Sequence, residues 1–303
     1  MRHALIIAAL AALVLGAPGE AGAVTMLSDA RLTIPEFAHK TGQDVSVFEK
    51  RYASTGILAC SGTYATAQLT IRHDIVTTAA HAFFDPEGRP RGDLSSCTFN
   101  IDVDNAHHSI PIEVSSLRVG SRRPYGVSPV HDWAVVRLKQ GVPDARPYSL
   151  GTPNDERIPV VMLAHRHRGW VHDGMKAIEA CTLRTAHRVD YGSAREIGID
   201  CSAGEGASGS AILLPGSNTA MIGIYVGWRS THPDSAGPYS PNHMNFGVAV
   251  EGPFRNAVLA VANEEKNPPA AKEPAIVQIH PAPVPEPVEP RRPATVQRAS
   301  VAQ

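Results

Sequence analysis

Asp200-Cys-Ser-Ala-Gly-Glu-Gly-Ala-Ser208-Gly-Ser-Ala-Ile-Leu213 sets a serine in a tight, glycine-bearing turn just before an apolar strand. Two earlier segments have the same form, a reactive side chain at the end of a strand. Ile75-Val-Thr-Thr-Ala-Ala-His81 runs from β-branched residues through small ones onto a histidine. Asp132-Trp-Ala-Val-Val-Arg-Leu138 starts on an aspartate and continues as an alternating strand. Trp133, Val135 and Arg137 share one face of it, and Ala134, Val136 and Leu138 share the other. A histidine after a strand, an aspartate before one, or a Gly-x-Ser-Gly loop carries little information alone. The order His, Asp, Ser on three separate strand ends carries much more. Asp102 and Asp104 are the rival acids, but neither is followed by an alternating strand.

The surrounding chain also reads as strands. Residues 56–60, 67–71, 75–78, 110–114, 133–138, 160–163, 211–214, 221–226 and 246–250 are short, β-branched or alternating, and bounded by Gly, Pro, Asn or Asp. Many short strands at this spacing point to an all-β sandwich or barrel. One long helix is expected near the end. Pro253 suits its first turn, and Phe254, Ala257, Val258 and Val261 fall on one face.

From 56 to 263 the sequence resembles the trypsin-like (chymotrypsin-fold) serine endopeptidases. Within them it is most similar to the bacterial branch that includes the glutamyl endopeptidases. The resemblance is carried by Thr78-Ala-Ala-His81, Asp132-Trp-Ala-Val-Val-Arg-Leu138, Gly206-Ala-Ser208-Gly-Ser210, Ile222-Gly-Ile-Tyr-Val-Gly227 and Asn245-Phe-Gly-Val248. It implies two six-stranded antiparallel β-barrels with a C-terminal helix and the active site between the barrels. It implies Ser208 as nucleophile, His81 as its base and Asp132 as the group that orients the imidazole. The backbone N–H groups of Gly206 and Ser208 would form the oxyanion hole. It also implies the disulfides Cys60–Cys97 and Cys181–Cys201. No cofactor is expected, because such a triad needs none.

Departures from the family pattern bear on activation and specificity. Ala207 stands where trypsin-type zymogens carry an aspartate that pairs with the freed N-terminus. Ala82 replaces the usual cysteine after the histidine, and Ala211 replaces a common proline. The pocket base is expected at Ser202, six residues before the nucleophile, with Ala203, Tyr225, Val226 and Gly227 as further lining. A serine at the base argues against selection of Arg or Lys. Glutamyl-specific members use a histidine and a threonine where this chain has Tyr225 and Ala203, so both expected glutamate contacts are missing. By the resemblance, Gly227 is expected to leave the pocket mouth open and Tyr225 to narrow the pocket toward small or neutral side chains.

Two other readings compete. An α/β-hydrolase esterase would need Gly at 210, where Ser stands, and the order Ser, acid, His, which Asp234 and His243 could supply. A catalytically silent binding module on a protease fold is the second.

The chain has 303 residues, 43% of them hydrophobic, which is enough for a large core. A net charge of -1 argues against a nucleic-acid binder. Met1-Arg2-His3, the apolar run from Ala4 to Gly16 and Ala21-Gly22-Ala23 read as a signal peptide covering residues 1–23. Cleavage is expected after Ala23, and the product is expected to be secreted or periplasmic, with no membrane span. Four cysteines in an exported chain suggest two disulfides and allow three pairings. No Cys-x-x-Cys is present, and the His107-His108 and His165-Arg166-His167 groups lack metal-site spacing. Residues 24–55 read as an N-terminal segment wrapped on the domain or as a pro-region. The peptidase domain is expected over 56–265. Residues 266–303 read as a Pro-rich disordered tail, because Pro268 to Gln303 holds nine prolines. The expected partner is a protein or peptide substrate, and no tail partner is specified.

Overall fold

The computed structural model describes residues 30–153, 157–168, 170–188, 195–216, 219–230 and 242–264. The expected signal peptide and Pro-rich tail lie outside these residues, as does Asp234.

The chain opens with β1 (Leu32–Thr33), α1 (Ile34–Thr41) and α2 (Val45–Arg51). The first barrel then uses β2 (Thr55–Cys60), β3 (Thr63–Leu69), β4 (Ile75–Thr78), β5 (Thr98–Val103), β6 (Ala106–Val119) and β7 (Ala134–Leu138). After β8 (Ser149–Leu150), the second uses β9 (Ile158–Ala164), β10 (Ala177–Arg188), β11 (Arg195–Ile199), β12 (Ala211–Leu213), β13 (Ala220–Ser230) and β14 (His243–Ala249). α3 (Gly252–Asn263) ends the described fold.

All pairings within the two rings are antiparallel. The first ring runs β2-β3-β4-β7-β6-β5 and closes where Ile57, Leu58 and Ala59 pair with Asn100, Phe99 and Thr98. The second runs β9-β10-β11-β14-β13-β12 and closes where Ala211 pairs with Leu163. Closure removes the exposed edges that an open sheet would present. β1 adds to β10, and β8 lies parallel to β13. This all-β architecture of two six-stranded antiparallel β-barrels with a C-terminal helix is the expected one. It excludes the α/β-hydrolase alternative, which requires alternating strands and helices.

Each barrel has its own core, and a third apolar layer joins them. Leu58, Leu69, Val76, Phe99, Ile112 and Val136 belong to the first-barrel core. Met162, Leu183, Ile197, Ile212 and Tyr225 belong to that of the second. The layer between holds Trp133, Val135, Leu163, Ile178 and Val248 together with α1, α2 and α3. The alternation of β7 accounts for this division. Ala134, Val136 and Leu138 face one core, while Trp133 and Val135 face the other. Trp133 stacks on Phe254 of α3 with centroids 5.2 Å apart. Buried Arg137 donates to the carbonyls of Val261 and Glu264, and Arg72 donates to that of Ala262. These guanidiniums place positive charge at the negative end of α3.

The N-terminal segment is packed on the barrels. A capping box starts α1: Thr33 Oγ1 accepts from Glu36 N, and Glu36 Oε2 accepts from Thr33 N at 2.8 Å. Ile34, Phe37, Phe48 and Tyr52 are buried in the joining layer. Disulfides link Cys60 to Cys97 and Cys181 to Cys201. Among the described residues no helix is long and apolar enough to cross a membrane.

Candidate active site

β4 and β7 are neighbours in register, with Thr78 opposite Ala134. Their adjoining ends bring His81 and Asp132 together. Beyond Thr78 the chain tightens into a 3-10 turn, Ala80–Ala82, packed through the fully buried Ala79 and Ala80. Before Ala134, another 3-10 turn, Pro129–His131, ends on Asp132, whose N–H donates to Pro129 O at 2.9 Å. Asp132 then takes two bonds from one residue. Its Oδ1 accepts from His81 N at 2.9 Å, and its Oδ2 lies 2.6 Å from His81 Nδ1. The Asp132 side chain is 9% exposed, so water competes little for it. This geometry fixes both the ring orientation and the tautomer with the proton on Nδ1, leaving Nε2 as the basic nitrogen.

Two residues outside the three motifs hold the histidine from other sides. Arg91 Nε donates to His81 O at 2.8 Å, and Arg91 Nη2 donates to Tyr125 Oη at 3.3 Å. The Tyr125 ring lies 5.7 Å from that of His81, and the residue is 56% exposed. The rival acids are engaged elsewhere. Asp102 pairs with His107 at 2.8 Å, and Asp104 sits at φ +48° in the turn between β5 and β6.

Ser208 lies on the turn that joins Cys201 to β12. Cys201 is fixed to β10 by its disulfide. The far side of the turn is fixed to β13, because Gly209 N donates to Tyr225 O at 2.7 Å and Tyr225 N donates to Ser210 O at 2.9 Å. Within the turn, Ala207 N donates to Gly204 O and Ser210 N to Ala207 O. The first barrel grips it as well. Thr66 Oγ1 donates to Gly206 O at 3.1 Å, and Thr78 Oγ1 donates to Thr66 O at 2.7 Å.

Two glycines make this turn feasible. Gly206 and Gly209 have φ of +90° and +83°, where side chains are strained. A Cβ on Gly209 would stand 2.2 Å from Thr66 O and 2.3 Å from Thr78 Oγ1. The residue after Ser208 therefore touches the strand end that leads to His81. Ser208 is half-buried and so is His81. Among the described residues no hydrogen bond joins Ser208 Oγ to His81, and the N–H groups of Gly206 and Ser208 have no acceptor. Catalytic hydrogen bonds are commonly long without substrate and tighten in the complex.

The expected pocket residues line the segment beneath this turn and the strand beside it. Ser202 and Ala203 are buried, Tyr225 has no exposure, Val226 is buried, and Gly227 is half-buried. Burial pushes the Tyr225 phenol up and the His131 and His243 imidazoles down. Among the described residues no three His, Cys, Asp or Glu side chains cluster to hold a metal ion.

Sequence reasoning missed Thr66, Arg91 and Tyr125 around this site. Thr66 and Arg91 act through side-chain bonds to backbone carbonyls of other segments, Gly206 O and His81 O, which no local pattern announces. Tyr125, an aromatic in a Pro- and Gly-rich loop, is the one with a signal that could have been read.

No family model matches the chain, and no curated protein matches it. Solved structures do. A Glu endopeptidase aligns with a TM-score of 0.57 at 16% identity, over 79% of this chain and 100% of its own. A thermostable serine protease, AL20, from an extremophilic microorganism aligns with a TM-score of 0.48 at 16% identity, over 70% of this chain and 98% of its own. The first alignment spans the whole of that peptidase's chain. This chain has the chymotrypsin-type serine protease fold.

Proposed function

We propose that this protein is an exported serine endopeptidase that cleaves peptide bonds through His81, Asp132 and Ser208. The observation that carries the reading is the double contact of Asp132 with the side chain and the backbone of His81. A buried carboxylate used only for structure has no need to hold an imidazole by the nitrogen opposite its free one.

The roles follow from the chemistry. His81 Nε2 takes the Ser208 proton as Oγ attacks the substrate carbonyl. Asp132 stabilises the imidazolium that results. The N–H groups of Gly206 and Ser208 receive the developing oxyanion, and each donor of this kind lowers the barrier by about 3 kcal/mol. His81 then protonates the leaving amine. Water attacks the acyl-enzyme by the same route and frees Ser208. Export rests on the signal-like segment 1–23 and on two disulfides, which persist in an oxidising compartment.

The silent-module reading is favoured by one observation, the missing Ser208–His81 hydrogen bond. Turnover of a denatured protein substrate by the wild type and by Ser208→Ala separates the two. An active wild type and an inactive, equally stable variant support the peptidase. Equal turnover by both refutes the role of Ser208, and an inactive wild type supports the silent module.

A further inference from the structure

A second concavity involves none of the residues assigned to the triad or to the nucleophile turn. It is a cavity of about 550 Å³, walled by α1 and α2, by the turn between β5 and β6, and by the loop between β9 and β10. Sites that hold small ligands measure about 300–1,000 Å³. The lining has two parts. Ile34, Tyr52, Ala53 and Val103 are buried and make an apolar floor. Glu49, Asp102 and Asp104 are exposed, and with the exposed Lys50 they make a mouth of net negative charge.

Lys176 lines this cavity without a counter-ion. Among the described residues no carboxylate pairs with its ammonium. Its hydrogen bonds go to the carbonyls of Tyr52 and Ala53, both at 3.4 Å, beyond the usual N–H···O range of about 2.7–3.2 Å. Burial pushes its pKa down to about 8, against the attraction of the more distant Asp102 and Glu49 carboxylates. The group is still an ammonium at pH 7. His165, the other base beside it, is pushed down to about 4 and is neutral at that pH. A desolvated lysine is ordinarily paired with a carboxylate. Here two carbonyl dipoles alone answer the charge, and the cavity is the space open to a carboxylate.

A carboxylate brought into the cavity would form a charge-assisted bond with Lys176. The floor calls for an apolar group beside that carboxylate, and the mouth favours a cation further out. A peptide that ends in an apolar residue and carries a basic residue upstream has all three features in that order. We propose that this cavity binds the free C-terminus of such a peptide, with its carboxylate on Lys176, its last side chain against Ile34, Tyr52 and Val103, and its basic residue at Glu49 and Asp102. The proposal does not depend on Ser208 being a nucleophile.

The test is titration calorimetry at pH 7 on the full-length processed protein carrying Ser208→Ala, so that no peptide is consumed. The probes are the tripeptide Lys-Ala-Leu as the free acid, its C-terminal amide, the free acid Glu-Ala-Leu, and isovalerate as an apolar carboxylate with no peptide. The free acid Lys-Ala-Leu should bind about tenfold or more tighter than its amide, and Lys176→Gln should close that gap. Glu-Ala-Leu and isovalerate should both bind more weakly than Lys-Ala-Leu. Acetylation by acetic anhydride, mapped by mass, gives the location should Lys176→Gln fail to fold: the peptide should slow modification of Lys176 and leave that of the exposed Lys139 unchanged. Equal affinity for acid and amide, a gap that persists in Lys176→Gln, or no protection of Lys176 would each overturn the site. Isovalerate or Glu-Ala-Leu binding as tightly as Lys-Ala-Leu would overturn the assignment of this class of peptide.

Discussion

Gly209→Ala is the substitution whose consequence the geometry defines most sharply. The added Cβ would lie 2.2 Å from Thr66 O, 2.3 Å from Thr78 Oγ1 and 3.1 Å from Ala79 N. Carbon–oxygen contacts in proteins settle near 3.3 Å or beyond, so the turn must retreat by about 1 Å. Two of the three obstructing atoms are backbone and cannot rotate away. The left-handed φ of +83° adds about 1–2 kcal/mol of strain to an overpacking cost of about 1–3 kcal/mol. The retreat also carries Ser208 away from the strand end that holds His81. A displacement of about 1 Å at a catalytic group lowers the rate by roughly a hundredfold. Gly42→Ala is the control, since Gly42 has φ +66° and nothing within 4 Å of the added carbon. It should lose about 1–2 kcal/mol of stability and no turnover. Thermal melting together with kcat/KM on a peptide substrate reads both effects. Wild-type turnover and melting in Gly209→Ala would refute the placement of the nucleophile turn against Thr66 and Thr78.

Asp132→Asn should lower kcat by roughly 10⁴-fold with little change in melting, because the amide donates to Nδ1 and selects the wrong tautomer; near-normal turnover would remove Asp132 from the mechanism. His165 is pushed down to about 4, chiefly by burial and then by the Lys176 charge. The unfolded chain titrates near ~6.5, so the native state favours neutral imidazole, and stability present above that pH is lost as pH falls toward 4. His165→Gln should flatten this loss in melting temperature measured against pH, and an unchanged slope would contradict it. Deleting residues 30–53 removes Ile34, Phe37, Phe48 and Tyr52 from the joining layer at about 2 kcal/mol each. That approaches the whole stability of a domain, so soluble expression and cooperative melting should both be lost. A deletion that melts like the wild type would show the segment to be dispensable.

The three chemistry-bearing segments were legible because each is local: a strand, a turn and one reactive residue. The face assignment along Trp133–Leu138 was legible for the same reason, and the face of α3 follows its apolar period. β11 was not legible. All five of its residues are buried, yet it begins Arg195-Glu196, which reads as surface. Those charges are satisfied by Glu251 and Arg229, 56 and 33 residues away, and no local pattern reveals such pairing. β10 mixes Ala, Glu, Thr and Arg, and along its two edges it pairs with three different strands, β1, β9 and β11. The helical start at Thr33-Ile-Pro-Glu36 carried a readable capping signal that a search for strands passes over. The meeting of His81 with Asp132 depends on the β4–β7 register. That register is not a property of a single segment.

In the proposed mechanism His81 and Asp132 make the Ser208 hydroxyl nucleophilic, and the rate of fluorophosphonate labelling of the intact protein, with the modified residue located by peptide mass mapping, reads that reactivity. One phosphonyl group per chain on Ser208 is expected, with the rate reduced by several orders of magnitude in His81→Ala. No labelling of the folded wild type, or labelling of Ser208 at an equal rate in His81→Ala, would contradict the account.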